Sequence, residues 1–537
     1  MPSNMKYTPR ILAYLTTTAL AIGALCFQAW YPIASSQHAP SVLVQMRAKG
    51  QCVLPKSEGV SISFVEPAPL NYPSEQELKD FPGATVVESE EVDDPENSGQ
   101  KIRMRILKTH FKSPYVRTEE IVNADSGALL GRAEMAADRF LLSLPEGSDP
   151  QEFFNHFGPE VVSMEPLIPN SNSWIVHLAN ASLETLPDVL RFQAAGIGEP
   201  DRIYGLNDLI ISQLNENQWA LPKVSAPDAW NIRNINAKPV IVAIIDTGIR
   251  YTHQDLQGSM WTNPDPAAPD HYGTNAIAGT GDPMDDCGHG THCAGIIGAT
   301  GVGVHGIVPQ VQLMACKYMD AQGKGLLEDE VTCLDYAVRH GATIINCSYT
   351  IECGFSQKDS SRNAPFSLFS KIEYDAIKNA GTKEVLLAVA AGNSSNDNDG
   401  VHAYPAGYCV DNKYMSCSDE MTAPALDNIV SVAATDEQDQ LCNFSNYGAQ
   451  SVFLGAPGNN ILSTWNYSDT SYNFLRGTSM AAPHVAGALA LMKAKFPGCS
   501  NQKLIAHLLE ATDQLDSLQG KTKSGGRLNL LKALRWE

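Results

Sequence analysis

The chain is short of basic residues: 38 Lys and Arg stand against 59 Asp and Glu, a net charge of −21 over 537 residues. That balance is the reverse of the basic footprint of a nucleic-acid binder, so DNA and RNA are not expected as partners. Its firm consequence is solubility through mutual repulsion. Beyond residue 27 the sequence has no apolar run long enough to be a membrane candidate. Internal repeats and low-complexity tracts are also absent, which excludes repeat architectures. What is present is ordinary globular material, 43% hydrophobic and 18% charged, with enough apolar side chains for a sizeable core. The length allows roughly three units plus appendages.

At the N-terminus Lys6 and Arg10 precede an apolar stretch, residues 11–27, with Ala34 and Ser36 following at signal-peptidase spacing. This pattern predicts an export signal over 1–36, cleaved after Ser36. An uncleaved membrane anchor is the alternative, although Thr16, Thr17 and Thr18 interrupt the stretch. Cys26 does not make a lipid-attachment site, because Leu25 before it is too bulky. Eleven cysteines remain, and an exported protein meets oxidants, so some should pair. An odd count leaves at least one without an intramolecular partner. Cys409 and Cys417 lie in the polar stretch 407–422 and are the pair expected to close that loop. Cys316, Cys333 and Cys347 sit in apolar segments and read as small core residues.

Residues 37–134 form a first N-terminal region, Pro-rich and polar to about residue 100 and then β-rich. The acidic run Glu88, Glu90, Glu91, Asp93, Asp94 and Glu96 reads as a solvated loop. Alternation from Lys101 to Ile106 predicts a strand, and 115–130 two strands around the turn signal Asp125-Ser126-Gly127. A second region, 135–206, follows the order strand 140–144, helix 150–157, strand 161–168, strand 174–178, helix 183–195, strand 199–205. That βαββαβ order is the ferredoxin-like α+β split unit. From 207 to 537 the pattern changes to apolar runs at 240–245, 311–316, 343–347, 385–390 and 428–433, alternating with helical segments. Strands buried on both faces imply an α/β domain with a parallel sheet flanked by helices. In such sheets the functional residues lie beyond the carboxyl ends of the strands.

The first run ends Ile244-Ile245-Asp246-Thr247-Gly248, placing a carboxylate at the sheet edge. Taken alone, such an Asp is more often a cap or strand end. Gly288-His289-Gly290-Thr291-His292-Cys293-Ala294-Gly295 opens a small-residue helix. In 476–487, Ser479 precedes a long helix with Pro483 in its first turn. A hydroxyl is inert at neutral pH unless an imidazole takes its proton and a carboxylate orients the imidazole, and these segments supply all three. Asn393, closing Ala390-Ala391-Gly392-Asn393, offers a side-chain amide to a developing oxyanion. Ser479 at a helix start adds its own N–H and the helix dipole.

These motifs, at 244–248, 289–295 and 477–483, resemble those of the subtilisin-like serine proteases of the subtilase family. Gln218-Trp219, Ala226-Pro227, Trp230, Tyr404-Pro405-Ala406 and the stretches 428–435, 443–448 and 525–529 extend the resemblance from about 207 to the C-terminus. It implies a serine endopeptidase with Asp246 as orienting acid, His289 as general base, Ser479 as nucleophile and Asn393 in the oxyanion hole. His292 is then structural. The preceding unit resembles subtilase inhibitory propeptides, which implies a zymogen cleaved between Tyr204 and Gln218, with the propeptide as its own inhibitor and proteins or peptides as substrates. Ser348-Tyr349-Thr350 stands where the family pairs with substrate, though Thr350 replaces its usual glycine. The chemistry implies no cofactor. Structural calcium is common in the family, with Asp255 at a frequent ligand position and Asp285 and Asp286 as further candidates. His292-Cys293 also resembles proteinase K and the proprotein convertases. One turn after His289, Cys293 should be a reduced, buried thiol beneath the imidazole.

Three rivals compete with this reading. Zinc at Cys287, His289, His292 and Cys293 would crowd four ligands into seven residues, whereas structural zinc draws on two separated segments. An α/β-hydrolase esterase needs Gly-x-Ser-x-Gly ahead of its acid and base, and here Asp and His come first. A degenerate subtilase acting as a binding or surface protein would lack a triad residue, and none is missing.

Overall fold

The computed structural model describes residues 46–536 apart from 48–50, 54–60, 64–76, 78–80, 82, 94–98, 125–128, 145–148, 151–160, 169–170, 184–197, 206–208, 211–217, 233–234, 309, 353–368 and 417–418. The expected export signal, 1–36, lies outside the described residues.

The N-terminal regions build a main antiparallel sheet, with Met46–Arg47, Gln51–Val53 and Ser61–Ser63 forming a small separate one. The strands of the main sheet are β1 (Thr85–Asp93), β2 (Gln100–Lys108), β3 (Tyr115–Asn123), β4 (Leu129–Ser143), β5 (Val161–Pro166), β6 (Ser173–Leu178) and β7 (Gly198–Gly205). β1 to β4 form a meander. The acidic run read as a loop is instead largely strand β1, because its charges find cross-strand partners. Glu91 accepts from Lys101 Nζ at 2.7 Å and Arg103 Nε at 2.6 Å. The boundary expected at 134/135 falls inside β4, whose first half pairs with β3 and whose second half pairs with β6 and β7. The last four strands run in the order β7-β4-β6-β5. Of the helices expected between them, residues 151–157 and 184–195 lie outside the described residues.

After the two-residue strand β8 (Leu209–Ile210), the remainder is α/β. The expected apolar runs become β9 (Ile241–Asp246), β11 (Gln312–Lys317), β13 (Ile344–Cys347), β14 (Leu386–Ala390) and β15 (Ile429–Thr435). With β10 (Gly273–Asn275) and β16 (Leu454–Pro457) they form a parallel sheet in the order β10-β11-β9-β13-β14-β15-β16. β13, β14 and β15 are buried at every position, as strands covered on both faces must be. The flanking helices include α1 (His289–Gly298), α2 (Leu327–Arg339), α3 (Lys371–Thr382) and α4 (Thr478–Lys495). α4 packs along β13, β14 and β15 and against α1, while α2 packs against α3.

Several shorter strands lie apart from this sheet. β12 (Lys324–Leu326) pairs with β7, so the N-terminal sheet continues onto the α/β part. β18 (Tyr472–Arg476) pairs with β17 (Ile461–Thr464) on one side and β8 on the other. The disulfide expected at Cys409 is not formed. Its thiol is free and buried and donates to Ser451 O at 3.2 Å, and the loop is instead closed by pairing of Asn412–Ser416 with Asp419–Ala423. Cys417 lies outside the described residues. Cys316, Cys333 and Cys347 are free, buried core thiols, as expected.

Candidate active site

Asp246 ends β9 fully buried, and the Thr247 N–H donates to its Oδ1 at 2.7 Å. His289, the first residue of α1, places Nδ1 at 2.8 and 2.9 Å from the two Asp246 oxygens. This approach depends on Gly290: a Cβ there would lie 2.2 Å from Gly248 O and 3.1 Å from Asp246 Cβ. Any side chain would push the helix off the strand.

Asp285 fixes the helix start, accepting from the Cys287, Gly288 and Thr291 N–H groups at 2.9, 2.8 and 2.9 Å. An anion at a helix N-terminus is favourable there. Its Oδ1 also accepts from Thr247 Oγ1, at 2.9 Å. Sequence reasoning missed this brace between the two motifs; the only signal for it was an acid three residues before the Gly-His-Gly segment.

Ser479 lies inside the first turn of α4, which begins at Thr478, so Pro483 falls in the second turn, not the first. There its missing N–H has a consequence, because the Ser479 carbonyl loses its usual helical partner four residues on. Ser348 Oγ donates to that carbonyl at 2.8 Å and Cys293 Sγ at 3.6 Å. Ser348, expected to bind substrate, thus spends its hydroxyl inside the protein. Tyr349 is likewise turned inward, 2% exposed, with its hydroxyl on Glu330 at 2.8 Å. Thr350 is buried beside them.

Asn393, three residues past β14, accepts at Oδ1 from Thr478 N and Oγ1 at 2.8 and 3.0 Å. Those bonds aim its NH₂ end away from Thr478, on the residue preceding Ser479. Asp246, His289, Ser479 and Asn393 therefore come together at the carboxyl ends of neighbouring strands, where parallel sheets place their sites.

Cys293 is a free, fully buried thiol 3.9 Å from His289 Nδ1, and burial pushes its pKa up to about 11. His292 turns the other way, its Nε2 at 3.0 and 3.1 Å from the Ile461 and Asn473 carbonyls. Burial and the neighbouring His289 bring it down to about 3, so it stays neutral. Asp246, His289 and Cys293 form a compact group of possible metal donors among the described residues, which does not contain the Cys287 and His292 a zinc site would need.

The expected calcium ligands do not fit a cation. Asp255 accepts from the Val302, Gly303 and Val304 N–H groups at 2.6, 2.9 and 3.2 Å and from the Tyr472 hydroxyl at 2.6 Å. Its lone pairs face donors, where a cation needs bare oxygens. Asp285 is filled in the same way, and Asp286 pairs with Lys317 Nζ at 2.6 Å.

A model of the subtilase family matches residues 237–530, more than half of the chain. The chain belongs to the subtilase family. As a subtilase it is a serine endopeptidase. It is similar to the alkaline protease of Alkalihalobacillus alcalophilus, 30% identical over 73% of this chain and 91% of that protein. Subtilisin Savinase of Lederbergia lenta is 33% identical over 56% of this chain and 92% of its own length. The minor extracellular protease Epr of Bacillus subtilis is 33% identical over 54% of this chain and 37% of that protein.

Proposed function

We propose that this subtilase is an exported endopeptidase that frees itself from a zymogen, with Asp246, His289 and Ser479 as its triad and Asn393 as an oxyanion donor. The observation that carries the reading is the pairing of His289 with buried Asp246 beside a Ser479 backbone held by Ser348 and Cys293. Asp246 holds Nδ1 protonated, leaving Nε2 to take the Ser479 proton as Oγ attacks the scissile carbonyl. His289 then protonates the leaving amine, and water hydrolyses the acyl-enzyme by the same route. Asn393 and the N–H groups at the start of α4 meet the charge that develops on the carbonyl oxygen. No cofactor enters this chemistry, and no calcium role is assigned to Asp255, Asp285 or Asp286.

Residues 37–206 are the pro-region and its own inhibitor, with the four strands β7-β4-β6-β5 as the ferredoxin-like part. Two strand pairings support self-processing. β7 adds to β12, with Gly205 opposite Lys324, and β8 adds to the strand that leads into Ser479, with Leu209 opposite Arg476. A segment paired with β12 up to Gly205 and with β18 from Leu209 fits an extended substrate, and on this reading the cut falls at the bonds between Gly205 and Leu209. Substrate peptides then take the place of β7 beside β12, facing the backbone of Ser348, Tyr349 and Thr350. Export rests on residues 1–36 and on the extracellular relative.

A fluorophosphonate probe tests the reading, because it reacts only with an activated serine. The secreted form should be labelled at Ser479 and begin between residues 206 and 209. A folded but unlabelled protein would be a binding module.

A further inference from the structure

Where the pro-region meets the start of α2, four carboxyl groups surround two cations. Asp138 and Arg139 come from β4, Asp201 from β7 and Lys112 from the turn between β2 and β3. Glu328 and Asp329 open α2. Asp201 Oδ1 accepts from the Glu328 N–H at 3.2 Å. Glu328 Oε1 lies 2.8 Å from Arg139 Nη1 and 2.9 Å from Lys112 Nζ, and Lys112 also pairs with Asp329. Asp138 Oδ1 lies 3.2 Å from Arg139 Nε and accepts from Ser113 Oγ at 2.8 Å. Of the other charges nearby, Glu330 accepts from Tyr349, and the charges that act most strongly on Asp201 are those of Glu328, Arg139 and Asp329.

Asp201, Glu328 and Asp329 are 0%, 2% and 3% exposed. Each has one oxygen buried without any hydrogen-bond partner: Asp201 Oδ2, Glu328 Oε2 and Asp329 Oδ2. Three buried acceptors from three acids of one cluster, none of them reached by its two cations, are unfavourable as carboxylates. A proton on one acid turns an oxygen into a donor and takes away one of the buried charges.

We propose that this cluster is a proton-binding site that clamps the pro-region onto the catalytic part and loosens it as pH rises. Burial first, and then the charge of Glu328, push Asp201 well above the usual carboxylate range. Burial pushes Asp329 up to about 6 against the pull of Lys112. Separation returns Asp201 and Asp329 to water and to an ordinary value near ~4. Groups with a raised value in the docked state stabilise docking fully below that ordinary value. The stabilisation is lost as pH rises through the raised one, about 6 for Asp329, and Asp201 is raised in the same direction. The strand pairing of β7 with β12 and the Lys324 to Glu134 ion pair at 3.1 Å remain as the contacts without such an excess of acid. The inference rests on how the two parts pack and not on the chemistry of Ser479, so the two fail separately.

Full-length protein carrying Ser479→Ala stays uncut and reports the clamp directly. Amide hydrogen exchange at residues 324–330, corrected for intrinsic rates, is followed from pH 5.5 to 8.5. Protection should fall with rising pH by up to about tenfold per unit for each proton lost. Adding Asp201→Asn or, as a second variant, Glu328→Gln should flatten that slope. The unsubstituted chain, separated by size after self-processing, should keep less pro-region bound at pH 8.5 than at 5.5. Protection independent of pH, an unchanged slope in both variants, or equal retention at the two pH values would overturn the proposal.

Discussion

In the catalytic part, β9, β13 and β14 bury apolar side chains along nearly their whole length and carry their chemistry only at or just beyond the carboxyl end. In the N-terminal sheet, β2 and β3 bury Arg105, Arg117, Glu119 and Glu120 in mid-strand. Arg105, 1% exposed, lies 2.9 Å from Glu120 and 3.3 Å from Glu77, and Arg117 pairs with Glu119. The apolar clusters around these strands are small, whereas one continuous cluster fills the catalytic part. A buried ion pair barely repays its desolvation, so such a sheet gains little net stability from it. Much of what holds the N-terminal sheet in place is therefore its contact with the catalytic part. A unit built this way suits the temporary role proposed for it, and one with a continuous apolar core suits persistence.

The sharpest break between the two parts is Ser479→Ala. Peptide hydrolysis should fall about 10⁶-fold and the uncut precursor should accumulate, seen by gel and peptide assay, with both parts still folded. Processing at the normal place in a host without other exported proteases would remove self-cleavage. Next comes Arg105→Ala, which leaves Glu77 and Glu120 buried without their cation. It should cost the pro-region ~3–5 kcal/mol in denaturant unfolding. An unchanged unfolding midpoint for the N-terminal sheet would show that this buried ion pair does not hold it together.

Asn393→Leu removes one transition-state contact. Turnover should drop by ~10²–10³ with KM nearly unchanged, as steady-state kinetics would show. Unaltered turnover would take Asn393 out of the mechanism. The smallest structural change is Cys293→Val, which trades a buried thiol for a small apolar group. The native enzyme should lose activity to a soft mercury reagent that captures the sulfur beside His289, while the variant keeps it. Equal sensitivity of the two would show that the thiol has no bearing on the imidazole.

Much of the catalytic part was legible because its signals are local. Apolar runs ending in Asp246, Ser348 and Asn393 mark parallel strands and the edge where chemistry gathers, and the one-turn spacing of His289 and Cys293 puts them on one helical face. Those residues carry their meaning in type and spacing alone. Partner choice is different, since hydrogen bonds and charges pair across long separations that no spacing encodes. The acidic run 88–96 became mostly a strand because Lys101 and Arg103 stand opposite Glu91. Asp255 turned from expected calcium ligand to amide acceptor because the loop at 302–304 aims its N–H groups at it. Pro483 left the Ser479 carbonyl for Ser348 to fill, 131 positions away in the chain. Asp201 met Glu328 and Asp329 only when two parts of the chain folded against each other, and the desolvation of their shared contact gives that cluster its affinity for a proton.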